Sequence, residues 1–117
     1  LNQALNELEL SKEQYFVIEQ KARIIRIPLT QTIAFSSDRR KVLALLKEET
    51  IDFYGKIDEI YRELPTCFIR THNRYIVNLN YVTTLEKDRC ILGAHSFPIS
   101  RTFRQELETA FARAMLK

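Results

Sequence analysis

Short runs rich in β-branched and aromatic residues, separated by polar clusters, recur from Tyr15 to Ile99 and predict a chain built mainly of strands with short helices. Residues 15–19 and 23–29 are the first two, and Gln20, Lys21 and Ala22 between them suit a hairpin. Pro28 lacks an amide N–H, which places the second run near a sheet edge. Residues 32–36 and 42–46 follow, joined by Ser37-Asp38-Arg39-Arg40-Lys41, and a fifth run over 50–54 is broken by Gly55. Then Ile57, Ile60, Tyr61 and Leu64 fall at helical spacing opposite Lys56, Asp58, Glu59, Arg62 and Glu63, and Pro65 stops that helix. Its expected role is core packing.

Residues 67–71 resume an extended run. Between Asn73 and Asn80 polar and apolar positions no longer alternate cleanly, and Asn78-Leu79-Asn80 invites a turn, which gives Asn78 a structural role. Residues 82–85, 90–92 and 96–99 predict the last strands, with turns at 87–89 and 93–95. Ser100 can cap a following helix whose apolar stripe is Phe103, Leu107, Ala110, Phe111 and Ala114. At the other end Leu1, Ala4, Leu5 and Leu8 predict a short amphipathic helix ending near Leu10, read as a linker or a dimer contact.

A chain of 117 residues forms one domain and buries a core without disulfides or metals. No run approaches the roughly 18 apolar residues of a membrane span, so the expectation is a cytoplasmic protein with no membrane partner. Leu1 is not an initiator Met, which implies a longer natural chain. The net charge of +3 is modest, but its distribution is uneven. Residues 65–104 hold Arg70, Arg74, Lys87, Arg89, Arg101 and Arg104 against only Glu86 and Asp88, so the rest of the chain is close to neutral. Concentrated basic charge suits a polyanion partner.

Catalysis finds little support. With only Gly55 and Gly93 there is no phosphate-cradling loop, and no carboxylate pair sits in a catalytic frame. Cys67 with His72 lacks any partner for an oxyanion. Cys67 to His72 and Cys90 to His95 repeat a five-residue step, and four such ligands could hold zinc. Residues five apart on a strand face opposite ways, however, so the expectation is no metal and no cofactor.

The densest chemistry lies in CFIRTHNRYIVNLNYV, residues 67–82, where Arg70, His72, Asn73, Arg74 and Asn78 stand among β-formers. Arg offers a planar fork to phosphate or guanine and Asn can pair with adenine, so the stretch suits DNA reading, while a strand with a solvated face explains it equally. The three cations Arg39, Arg40 and Lys41 suit either a soluble hairpin tip or a phosphate contact. Arg101 and Arg104 lie in the first turn of the last helix, the positive end of its dipole, so an anion from DNA or from a nearby carboxylate is expected there.

Phe68, Arg70, His72, Tyr75, Val77 and Asn78, followed by Phe97-Pro98-Ile99-Ser100-Arg101, resemble the LytTR family of bacterial DNA-binding domains. Phe53-Tyr54-Gly55 before the short helix and the basic turn at 39–41 fall in matching order, so the resemblance covers about residues 13–107. The spacing is similar to the output domains of quorum-sensing response regulators of the accessory-gene-regulator type. The resemblance implies an elongated β-β-β sandwich of small, largely antiparallel sheets plus a C-terminal helix over 13–117. Residues 1–12 would then be a linker or helix from an upstream phosphoacceptor (receiver) domain. It further implies sequence-specific binding of double-stranded DNA at repeated promoter sites, with two copies pairing on DNA. Arg40, Asn73 and Arg101 are the implied base-reading candidates. Arg39, Lys41, Arg70, His72, Arg74 and Arg104 are the implied phosphate-binding candidates. Arg74 departs from the family, where a small hydroxyl residue is usual. Outside the resemblance, the competing readings are a non-enzymatic protein-interaction module, with or without zinc, whose basic side meets an acidic partner, and an RNA-binding domain.

Overall fold

The structure is a computed structural model that describes residues 15–115. The helix expected near residues 1–10, and the linker assigned to 1–12, lie outside the described residues. The chain divides into two units, one up to Thr32 and the other from Ile33 onward.

In the first unit β1 (Tyr15–Gln20) and β2 (Arg23–Pro28) form an antiparallel hairpin whose register, from Tyr15↔Pro28 to Gln20↔Arg23, leaves Lys21 and Ala22 as the turn. Period-two patterning gives the hairpin an exposed face that includes Tyr15 and Val17. Leu29, expected in the second strand, instead opens a 3-10 turn over Leu29–Gln31. Behind it the Thr32 hydroxyl donates to the Pro28 carbonyl at 2.9 Å.

The second unit is built on a five-stranded sheet in the order β5-β4-β3-β7-β6. Its strands are β3 (Thr32–Asp38), β4 (Lys41–Leu46), β5 (Thr50–Tyr54), β6 (Phe68–His72) and β7 (Tyr75–Asn78). The five-residue loop expected over 37–41 contracts to the two-residue turn Arg39-Arg40, because β3 runs on to Asp38 and its neighbour β4 begins at Lys41. β7 was not expected as a strand. Ile76 and Val77 are both fully buried, so the strand is covered on both faces and shows none of the alternation that marks a half-exposed one.

Helix α1 (Ile57–Glu63) buries Ile57 and Ile60, as its stripe predicts, and ends before Pro65. A three-stranded antiparallel sheet, β10-β9-β8, comprises β8 (Thr84–Leu85), β9 (Arg89–Leu92) and β10 (His95–Pro98). β8 is shorter than the 82–85 expected, although the Thr83 N–H still donates to the Ile91 carbonyl. Gly93, at φ 64, supplies the left-handed position of the β9–β10 turn, where a side chain would be strained. Helix α2 (Arg101–Met115) closes the described chain. Of its expected stripe, Leu107 is fully buried, Phe103, Ala110 and Phe111 are half-buried, and Ala114 is exposed.

Among the described residues, side-chain clusters tie the elements of this unit together. Ile33, Ala34, Val77, Cys90 and Leu92 join the large sheet to the small one, and Ile69, Leu79 and Leu107 join it to α2. Val82, Leu85 and Ile99 pack against both, so the two clusters are continuous. Phe35 and Phe68 are essentially fully buried with ring centroids 5.8 Å apart and tilted by 57°. Burying each such ring stabilises the fold by about 1.5–3 kcal/mol.

Candidate nucleic-acid interface

The register of the large sheet decides where the basic turns go. β3 and β7 are antiparallel neighbours with Ser36 opposite Tyr75, so the residues after Asp38 and those before Tyr75 emerge at the same end. The Arg39-Arg40 turn and the Asn73-Arg74 turn therefore lie side by side, and the Ser37 N–H donates to the Arg74 carbonyl at 2.8 Å. β6 reaches that end as well. There the Thr71 carbonyl accepts from the Ser100 N–H at 2.8 Å, which sets the first residue of α2, Arg101, beside the same strand end. Arg40, Asn73 and Arg101, more than thirty and then nearly thirty residues apart in sequence, are thus hung on one end of one sheet.

At this end the cations sort into two kinds. Arg39, Arg40, Arg74 and Arg101 are exposed, and among the described residues none has a side-chain hydrogen bond or ion pair. Asn73 is exposed too, with only its backbone carbonyl engaged, by Arg70. Arg39 adopts φ 61, a left-handed conformation that costs a non-glycine residue about 1–2 kcal/mol. A two-residue hairpin turn requires a positive φ at its first central residue, which is the place Arg39 occupies.

The remaining candidates are occupied. Lys41 is the first residue of β4 rather than a loop residue, and its ammonium bonds Asp52 at 3.1 Å and lies 5.3 Å from the Tyr54 ring. The Asp52 hydrogen bond is the main cause of the upward shift in its pKa. Arg104 bonds Glu108 one turn along the helix at 2.9 Å, so a carboxylate of the helix itself compensates that cation. His72 is half-buried and its Nδ1 accepts from the Arg74 N–H at 3.2 Å, which makes Nε2 the proton-bearing nitrogen. Its ring stands 5.6 Å from Tyr75, which in turn stands 5.3 Å from Phe97 in β10. Arg70 is the most enclosed. Only 11% of its side chain is exposed, and it bonds Asp58 at 2.6 Å and the Asn73 carbonyl at 2.7 Å.

Asn78 has the structural role expected of it, with its Oδ1 accepting from the Asn80 N–H at 3.0 Å to cap the 3-10 turn over Leu79–Tyr81. The role of Asp58 was not foreseen. Twelve residues separate it from Arg70, and its position on a solvated helix face gave no signal of a partner. Cys67 and Cys90 are not joined in a disulfide, and among the described residues no three His, Cys, Asp or Glu side chains gather at a spacing that would hold a metal. No described helix is long and apolar enough to cross a membrane.

The sequence model of the LytTr DNA-binding domain matches residues 22–112. Among solved structures, the chain is similar to a LytTr DNA-binding domain from Bacillus cereus whose parent is named as a methyl-accepting/DNA response regulator. That match has a TM-score of 0.71 at 18% identity, and covers 83% of this chain and 95% of the other. No curated protein matches the chain. The match over 22–112, on the mainly β architecture with its C-terminal helix, is to a DNA-binding and not a catalytic family, and the chain belongs to the LytTR family of DNA-binding domains.

Proposed function

We propose that this domain reads double-stranded DNA in a sequence-specific manner as the output domain of a two-component response regulator, under the control of an upstream receiver domain. The observation that carries the reading is the convergence of Arg40, Asn73 and Arg101 on one end of the large sheet. Their side chains are exposed and uncommitted, and they are of the types that form paired hydrogen bonds with guanine and adenine. Arg39 and Arg74 flank them and supply phosphate attraction, and Arg104, already paired with Glu108, adds a weaker contact. Lys41 and His72 sit at the margin, where Lys41 contributes charge and Nε2–H of His72 is available to a phosphate oxygen.

In this reading the Arg39-Arg40 turn and the start of α2 enter successive major grooves, with Asn73 between them, and two copies occupy a repeated promoter site. Hydroxyl-radical footprinting on a selected duplex tests the groove assignment. Two protected patches per copy, centred about one helical turn or roughly 34 Å apart, are expected. A single short patch would contradict it.

A further inference from the structure

Arg70 resembles a phosphate-binding cation in sequence, but its surroundings give it other work. Nη1 donates to Asp58 Oδ1 at 2.6 Å, Nη2 to the Asn73 carbonyl at 2.7 Å and Nε to the His72 carbonyl at 3.4 Å. The guanidinium carbon lies 5.7 Å from the centre of the Tyr61 ring, on α1, and 5.3 Å from that of Phe103, on α2. Each of its three nitrogens already donates one N–H within the protein and two aromatic rings lie close by, so the orientation of the fork is set by the fold.

We propose that Arg70 is the positioning residue of the Asn73-Arg74 turn, with Asp58 as its anchor, and that it holds the turn in its reading geometry before DNA arrives. The inference rests on the reading of Asn73 and Arg101 as base contacts. Arg70 fixes the backbone carbonyl of Asn73, leaving that side chain free for a base edge. Through Phe103 the same guanidinium touches the first turn of α2, two residues beyond Arg101. A two-residue turn frozen in advance loses less conformational freedom on binding, so its contacts appear more fully as affinity. Asp58 is largely exposed, and its ion pair contributes by orienting the fork more than by its own energy. Lysine would keep the charge but not the fork, since an ammonium cannot bond Asp58 and two carbonyls in one plane.

The test compares wild type with Arg70→Lys, Asp58→Asn, Asn73→Ala and the Arg70→Lys/Asn73→Ala double variant. Affinity is measured on a selected duplex and on random duplex across a salt series, and amide hydrogen exchange at residues 73–75 is measured in the free protein. Arg70→Lys is expected to lose about tenfold on the selected duplex, with affinity for random duplex and the salt slope unchanged. The double variant is expected to be no weaker than Asn73→Ala alone, and amide exchange at the turn to be faster. Asp58→Asn, at an exposed helix position, should show the same exchange change in smaller measure, so the proposal stays testable if Arg70 variants fold poorly. Unchanged turn exchange in Arg70→Lys or Asp58→Asn, or additive losses in the double variant, would overturn it. A fall of about one in the salt slope for Arg70→Gln would make Arg70 a phosphate contact instead. A wild type with no preference for any duplex defeats the base-reading assignment, whereas the exchange measurement, which needs no DNA, judges the hold of Arg70 on the turn separately.

Discussion

The Ser37 N–H donates to the Arg74 carbonyl at 2.8 Å, and this one bond ties the base of the Arg39-Arg40 turn to the Asn73-Arg74 turn. Two short turns that would otherwise move independently become one surface, presented by adjacent central strands. The basic residues of this surface are distant in sequence, so their relation comes entirely from strand register.

Arg39 separates function from stability. At φ 61 it carries about 1–2 kcal/mol of left-handed strain, which glycine would relieve against an added entropy cost of about 0.5–1 kcal/mol in the unfolded chain. Arg39→Gly is therefore expected to raise urea-unfolding stability by about 0.5 kcal/mol while weakening binding to all duplexes. A loss of stability with DNA binding intact would show that the arginine is there for the fold.

Arg101 and Arg104 share the first turn of α2 but not their surroundings, since Arg104 has Glu108 and Arg101 has no side-chain partner among the described residues. Arg101→Ala should cost about 1–3 kcal/mol on a cognate duplex and far less on random duplex. Arg104→Ala should reduce both by the same small factor. Equal losses on the two duplexes for Arg101→Ala would remove it from the base-reading set.

Thr71, in β6 near the Asn73-Arg74 turn, is fully buried, and its hydroxyl has no hydrogen-bond partner among the described residues. Its backbone carbonyl, by contrast, holds Ser100. Valine has nearly the same shape and leaves that carbonyl in place, so Thr71→Val should stabilise the fold by about 1 kcal/mol without altering DNA preference. Destabilisation on denaturant titration would mean that the hydroxyl has a role.

Cys90 links the core to pH. Burial pushes its thiol up from 9.0 to about 11, so the folded state keeps a proton that the unfolded chain releases. The stability it contributes is complete below the unfolded value and is lost as pH rises through the folded one. The stability difference between wild type and Cys90→Ala should therefore be constant up to pH 9.0 and shrink towards about 11. A difference that stays flat over that interval would show that the thiol is not shielded. In the native protein Cys67, which is half-buried, should react with iodoacetamide well before Cys90.

Most of the strands, both described helices and the turn at Asn78 were legible because each depends on local pattern: alternation, a helical stripe, or Asn, Gly and Pro at a break. β7 was not, since a strand buried on both faces reads as a plain apolar run, and missing it hides the neighbour that aligns the two turns. Arg40, Asn73 and Arg101 were legible as candidates from residue type and family resemblance, but their gathering at one sheet end was not. The sequence could not distinguish free cations from committed ones either. Arg70 and Lys41 look like Arg74 and Arg40 until Asp58 and Asp52 are brought across from elements 12 and 11 residues away.

Selection from a pool of random duplexes at about 150 mM salt decides whether this surface distinguishes one DNA sequence from another, because salt near that level suppresses purely electrostatic retention. Enrichment of a short, repeated motif is expected for the wild type, with its loss in Arg101→Ala. Failure of the folded protein to enrich any motif, both as a single copy and as a covalent tandem, would contradict it.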